Sequence, residues 1–172
     1  MSTEAKIGLE IERKYIIKMP DVSLLSLQPE YTVSDITQIY IEGASDETHR
    51  VRRRRFFDRE QFTETRKIRV DEMSVTEIEG EITEQRFAQL SENISQGTNP
   101  VLKTRHTFLY SGQIFEIDIY PQWHNTAIME TELDSREKQV DIPPFIHILR
   151  EVTGNKAYSN AAMSCSFPPE IE

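Results

Sequence analysis

The chain has 172 residues, 29 acidic against 20 basic side chains and a net charge of −9, which bounds one domain able to bury a core without staples. With 37% hydrophobic and 28% charged residues, the composition excludes a disordered chain, and the net acidity argues against a nucleic-acid binder. No apolar run approaches the roughly 20 residues of a membrane span, MSTEAKIG lacks a signal peptide's apolar region, and the single Cys165 makes the expected location cytoplasmic.

The first segment, 7–18 (IGLEIERKYIIK), alternates as a strand and stops before Pro20. A helical turn is expected at 22–27. Strand-like runs follow at 37–43, 48–57, 61–70 and 74–82. In TEQRFAQLSENI, Phe87, Leu90 and Ile94 fall on one helical face, with Thr83 as N-cap and Gly97–Pro100 closing the segment. Further strands are expected at 101–110, 113–121 and 127–134, with turns at Asp58, Ser111-Gly112 and 121–126. After Pro143-Pro144, Phe145, Ile148, Leu149 and Val152 form one apolar face of an expected helix, with Gly154 as its C-cap. A short helix at 158–163 and a mobile tail at 166–172 complete the reading. No repeat or linker divides the chain, so a single domain over 1–165 is expected. The fold class is α+β and mostly β, an antiparallel sheet with a few covering helices.

Nine of the twenty bases lie between residues 50 and 69, so the charge is segregated. Residues i and i+2 of a strand share a face. On that period Glu10, Glu12 and Lys14 share one face, as do Arg50, Arg52 and Arg54. Glu77 pairs with Glu79, Lys103 with Arg105, Glu116 with Asp118, and Glu130 with Glu132. A solvated sheet face ordinarily mixes signs, because like charges at such spacing repel. Strands of paired acids beside strands of paired bases ask for a shared ligand. Turned inward, these faces would line a barrel with a polar lumen. Carboxylate oxygens suit Mg²⁺ or Mn²⁺, and the basic set Lys14, Arg50, Arg52, Lys67, Lys103 and Arg105 suits phosphate oxygens.

Glu10-Ile11-Glu12-Arg13-Lys14 reads as ExExK on an N-terminal strand and resembles the signature of the CYTH superfamily, the triphosphate tunnel metalloenzymes. The resemblance continues in order through Arg50-Val51-Arg52, Thr65-Arg66-Lys67, Glu77-Ile78-Glu79, Lys103-Thr104-Arg105, Glu116-Ile117-Asp118 and Glu130-Thr131-Glu132. It ends in Glu151-Val152-Thr153-Gly154-Asn155-Lys156 with Tyr158, Ser159 and Asn160. Val75 departs from the family's frequent Arg two residues before the ExE at Glu77; Arg54 or Arg69 could supply the missing anion contact. The loop 55–61 (RFFDREQ) also looks longer and more basic than usual.

The resemblance implies an eight-stranded antiparallel β-barrel forming a tunnel for a triphosphate. Glu10, Glu12, Glu130 and Glu132 become the first-choice ligands for Mg²⁺ or Mn²⁺, with Glu77, Glu79 and Asp118 as further metal ligands. Arg50, Arg52, Arg54, Lys67, Lys103 and Arg105 would hold phosphoryl oxygens, with Lys14 and Lys156 neutralising the transferring or leaving phosphate. Lys14, Lys103, Glu116 and Asp118 are the catalytic candidates, the two acids orienting the attacking water. The expected activity is metal-dependent hydrolysis of inorganic tripolyphosphate. The alternatives are a thiamine or nucleoside triphosphatase, a class IV adenylate cyclase, and a non-catalytic polyphosphate or nucleotide sensor. The expected partner is the small-molecule substrate alone, without nucleic acid or membrane. Exposed apolar strand faces would make a homodimer unsurprising. His49, His106, His124, His147 and Cys165 lack ligand spacing and are set aside; Arg53, Arg55 and Arg59 read as a solvated basic edge.

Overall fold

The computed structural model describes residues 6–44 and 46–171. Strand β1 (Lys6–Lys18) is followed by helix α1 (Val22–Ser26), whose N-cap Asp21 accepts from the Ser23 amide. Then come β2 (Thr32–Tyr40), β3 (Glu47–Arg55), β4 (Glu60–Arg69) and β5 (Ser74–Glu81). Helix α2 (Glu84–Ser91) carries the expected Thr83 cap, its hydroxyl accepting from the Arg86 amide. Strands β6 (Val101–Tyr110), β7 (Gln113–Ile119), β8 (Thr126–Glu132) and β9 (Ile148–Glu151) lead to a 3-10 turn (Lys156–Tyr158) and helix α3 (Asn160–Cys165).

The strands are ordered β5-β4-β3-β2-β6-β7-β8-β1, and β1 pairs again with β5. This closes an eight-stranded antiparallel barrel, in which β1 runs on beyond its pairing with β5. β1 serves two neighbours on one side: residues 6–11 pair with β5 and residues 15–17 with β9. The helix expected over 145–154 is therefore a strand. Where β5 ends, the edge of β1 offers unpaired backbone groups, and Val152 donates its amide to the Lys14 carbonyl at 2.8 Å. Satisfying those groups outweighs a 3.6-residue apolar pattern that a short strand also accommodates. Gly154 does not cap a helix; it takes φ +73° in the following turn, where a Cβ would stand 3.1 Å from the Glu72 carbonyl oxygen.

Three apolar clusters follow from the alternation. On the outer face of β1, β6, β7 and β8, Tyr15, Ile17, Phe108, Phe115, Ile117 and Met129 pack beneath Leu25 of α1 and Ile146. Val51 and Ile41 pack beneath Leu90 of α2. The third cluster occupies one end of the lumen: Ile16, Tyr40, Val101, Tyr120, Trp123 and Ile128 meet Val152, Tyr158 and Met163 of the C-terminal segment. Ile16 and Ile128 continue the inward rows of Lys14 and Glu130, so one row is apolar at this end and charged at the other. On the outer face Phe62 of β4 packs on Phe87 of α2, while Ile7 and Leu9 of β1, Ile68 at the other end of β4 and Val70 beyond it are exposed. The tail from 166, expected to be mobile, lies against the barrel: Phe167 packs on Tyr120 and Trp123, and Trp123 donates to the Pro168 carbonyl at 3.0 Å.

Candidate functional site

The charged part of the lumen is a cavity of ≈ 770 Å³, within the size range of small-molecule sites. Seven carboxylates (Glu10, Glu12, Glu77, Glu79, Glu116, Glu130, Glu132) and eight bases (Lys14, Arg50, Arg52, Arg54, Lys67, Arg69, Arg105, Lys156) line it. Pairing puts Lys14 opposite Glu130 and Glu12 opposite Glu132 across β1 and β8, and Glu116 opposite Glu130 across β7 and β8. Lys67 lies opposite Glu77 across β4 and β5. The period-2 sorting thus becomes one continuous inner surface.

Two of the expected residues lie beneath that surface. The Lys103 ammonium sits 2.6 Å from Asp118, and Arg105 grips the same carboxylate through two 2.7 Å hydrogen bonds. The Lys103 and Asp118 side chains are each 1% exposed, and neither lines the cavity. Burial alone would raise the Asp118 carboxyl, but Arg105 and Lys103 outweigh it and hold it well below the usual carboxylate range. Burial and the adjacent Arg105 push Lys103 down to about 8. An acid whose oxygens are already committed is a poor metal ligand or water-orienting group, so Asp118 and Lys103 are placed as a support that aims Arg105. Arg105 itself faces the cavity, 2.5 Å from Glu116 and 3.7 Å from Glu130.

Lys14 stands 2.9 Å from Glu130 and donates to the Tyr158 carbonyl at 3.3 Å. Burial would lower its pKa, but Glu130 and Glu12 outweigh this and keep it charged above the ordinary lysine value. The Glu130 carboxyl would likewise rise on burial; Lys14 and Arg105 bring it to about 2 despite Asp118 nearby. Lys67 bridges Glu10 at 2.7 Å and Glu77 at 2.8 Å. Burial, with Glu12 and Glu77 close by, nevertheless raises Glu10 to about 7. Burial and Glu130 raise Glu12 as well. Among the described residues Glu12 forms no ion pair within 4.0 Å.

The β3 wall differs. Among the described residues, Arg50 and Arg54 form no ion pair within 4.0 Å, and Arg52 reaches only Glu79 at 3.6 Å. The buried Nε atoms of Arg50 and Arg52 have no hydrogen-bond partner. Burial and the neighbouring Arg50 push Arg52 down to about 10. Unsatisfied buried donors of like charge form a preformed anion site.

Among the described residues no three His, Cys, Asp or Glu side chains are gathered as a closed metal cage. The donor chemistry still fits a hard divalent cation. Glu12 lies opposite Glu132 and near Glu130, Glu10 lies near Glu12 and Glu77, and burial together with these neighbouring acids raises Glu10 and Glu12.

Alternation also places Arg69, one of the two candidates for the missing anion contact. Arg69 continues the inward row of Lys67, lies directly opposite Val75 and lines the cavity. Ser159, Asn160, Ala161 and Ala162 line it too; these come from the helix α3 region, where strand periodicity gave no signal. The histidines set aside have local partners: His49 lies 2.8 Å from Glu64, and His106 lies 2.9 Å from the Tyr31 hydroxyl. Cys165 is free and exposed.

No known family profile matches the chain, and no curated protein matches it. Solved structures do. The inorganic triphosphatase NE1496 is similar at 26% identity and a TM-score of 0.56, the match covering 93% of this chain and 97% of that one. The PH1819 protein from Pyrococcus horikoshii shares the fold at 23% identity and a TM-score of 0.55, covering 74% of this chain and 80% of its own. A candidate adenylate cyclase from Bacillus halodurans shares it at 17% identity and a TM-score of 0.51, covering 76% and 83%. These neighbours are consistent with the CYTH superfamily and with its tripolyphosphatase-like members.

Proposed function

We propose that this barrel binds inorganic tripolyphosphate in its charged cavity and hydrolyses it with the help of a divalent cation. The observation that carries the reading is the asymmetry of the walls: β3 presents Arg50 and Arg54, which have no ion pair within 4.0 Å among the described residues, while β1 and β8 present Glu10, Glu12, Glu130 and Glu132 to the same cavity. A highly charged anion complements the first wall and a hard cation the second. The 26% identity to an inorganic triphosphatase over nearly the whole chain supports the same choice.

Arg50, Arg52 and Arg54 would take phosphoryl oxygens, and Arg105 would add a donor whose orientation is fixed by the buried Asp118. Lys14, held charged by Glu130, is suited to stabilise negative charge as the phosphoryl group separates and unsuited to accept a proton. Phosphoryl transfer needs little covalent chemistry from the protein, so positioning and charge stabilisation supply most of the rate. Mg²⁺ or Mn²⁺ held by Glu10, Glu12, Glu130 and Glu132 would supply neutralisation of phosphate charge and a more acidic water. Of the two acids expected to orient the attacking water, Glu116 lines the cavity and Asp118 does not.

The test is phosphate release from tripolyphosphate, pyrophosphate, ATP and thiamine triphosphate, with Mg²⁺, Mn²⁺ or a chelator, and a cyclic AMP readout. The expected result is metal-dependent turnover greatest on tripolyphosphate. Glu10→Gln should lower it by about 100-fold or more while circular dichroism stays that of a folded barrel. Tripolyphosphate binding without turnover under every condition would replace the hydrolase with a sensor. Cyclic AMP formation from ATP would replace it with a cyclase.

A further inference from the structure

Three observations at the β3–β4 hairpin lie outside the chemistry described so far. First, the row of inward guanidiniums does not stop at the cavity. Arg50 lies opposite Tyr40, which belongs to the apolar end of the lumen, and Arg54 lies opposite Ile36, toward the hairpin. From Arg50 to Arg54 the strand advances about 13 Å, and at the hairpin the Arg54 and Arg59 guanidiniums both stand over the Phe56 ring, at 4.8 and 4.2 Å. Second, burial, Arg105 and, more weakly, Arg59 lower Arg54, so Arg59 adds its charge to the same row. Third, the hairpin separates its bases into two sets. Arg53 and Arg55 are both bound to Glu60. Arg54 has no carboxylate within 4.0 Å among the described residues and is aimed by a 2.8 Å hydrogen bond to the Ser34 hydroxyl. Among the described residues Arg59 meets only the exposed Asp58, at 3.7 Å.

A triphosphate, with two bridging oxygens, is shorter than the run from Arg50 to Arg59. We propose that Arg59, which shares the Phe56 ring with Arg54, the outermost guanidinium of the triphosphate site, extends the row into a subsite for phosphoryl groups beyond the third, so that the site takes linear polyphosphate longer than tripolyphosphate. This rests on the reading of the cavity as a triphosphate site. Phe56 serves as a scaffold: its cation–π contacts hold two like charges at one ring, an arrangement that a polyanion would stabilise. A planar organic group is the less favoured occupant. The ring free to stack is Phe57, wholly exposed at the hairpin tip, and it does not line the cavity.

Binding calorimetry in chelator, where turnover is suppressed, tests this with tripolyphosphate, a linear polyphosphate of defined greater length, and ATP. Wild-type protein should bind the longer chain more tightly than tripolyphosphate. Arg59→Ala should weaken the longer chain by about fivefold, the upper end for one exposed charge pair, and leave tripolyphosphate unchanged. Phe56→Leu, which releases both guanidiniums, should weaken the longer chain more than tripolyphosphate. Arg55→Ala, on the Glu60-bound side, should alter neither ligand. Equal affinity for the two chain lengths in wild type, or an equal loss for both in Arg59→Ala, would overturn the subsite. So would a loss confined to ATP, which assigns the hairpin to an organic group. Tight, Arg59-dependent binding of the long chain without tripolyphosphate binding would keep the subsite and remove the triphosphate reading. Binding of neither chain would remove both.

Discussion

Two ion clusters lie on the same barrel wall system and behave in opposite ways. Around Asp118, Lys103 and Arg105 close on one carboxylate at 2.6 to 2.7 Å, and the Asp118 and Lys103 side chains have 1% exposure. On β3, Arg50 and Arg52 are also buried, yet their Nε donors go unsatisfied. Burial costs a charge several kcal/mol unless partners offset it. The first cluster is offset within the protein and serves the fold. The second is not, and carries a cost that the proposed anion would relieve.

Removing a member of each cluster breaks the comparison most directly. Asp118→Ala leaves Lys103 and Arg105 buried without their partner, and urea denaturation should show a loss of about 3–5 kcal/mol. Arg52→Gln should act the other way: unchanged or slightly higher stability, with tripolyphosphate affinity in calorimetry falling about 10- to 100-fold. If Arg52→Gln destabilised the protein as much as Asp118→Ala, the division into a structural and a functional cluster would be wrong.

The pH dependence of metal-free protein sharpens the same contrast along β1 and β8. Glu130, brought down to about 2 from the ordinary 4.5, contributes stability that is present above pH about 4.5 and lost as pH falls toward about 2. Glu10, raised to about 7, binds its proton more tightly folded than unfolded, so its ionisation costs stability as pH rises from about 4.5 to about 7. Denaturation midpoints across pH 2–8 should therefore fall at both ends. Glu10→Gln should reduce the decline toward neutrality, leaving the part due to the raised Glu12, and keep the acid one. The smallest effect belongs to the outer hairpin: Glu60→Gln frees Arg53 and Arg55 on an exposed surface, and thermal unfolding and tripolyphosphate affinity should both stay at wild-type values.

Much of this was legible in the chain. Eight barrel strands follow alternations such as ERKYIIK and RVRRRR, because inward and outward residues of a closed sheet face different media. The same period picked out Glu10, Glu12, Lys14, Arg50, Arg52, Glu130 and Glu132 as one surface. One element and one depth were not legible in it. FIHILREVTG carries a helical apolar pattern, yet Ile148–Glu151 forms a strand because the edge of β1 beyond Ile11 lacks a partner. Lys103 and Asp118 share the parity of Arg105 and Glu116, yet they sit beneath the cavity. Depth along a row depends on where the Tyr120 and Ile128 cluster fills the lumen.

Sequence alone determined the faces: alternation is a local property of extended backbone, and it sorted acids, bases and apolar side chains onto inner and outer surfaces. It also determined the chemistry those surfaces offer, through hard oxygens on some strands and guanidiniums on others. Only the tertiary structure decided which charges spend themselves on each other and which remain for a ligand. That outcome depends on distances between strands far apart in the chain, and on how much water each pair retains once the barrel closes.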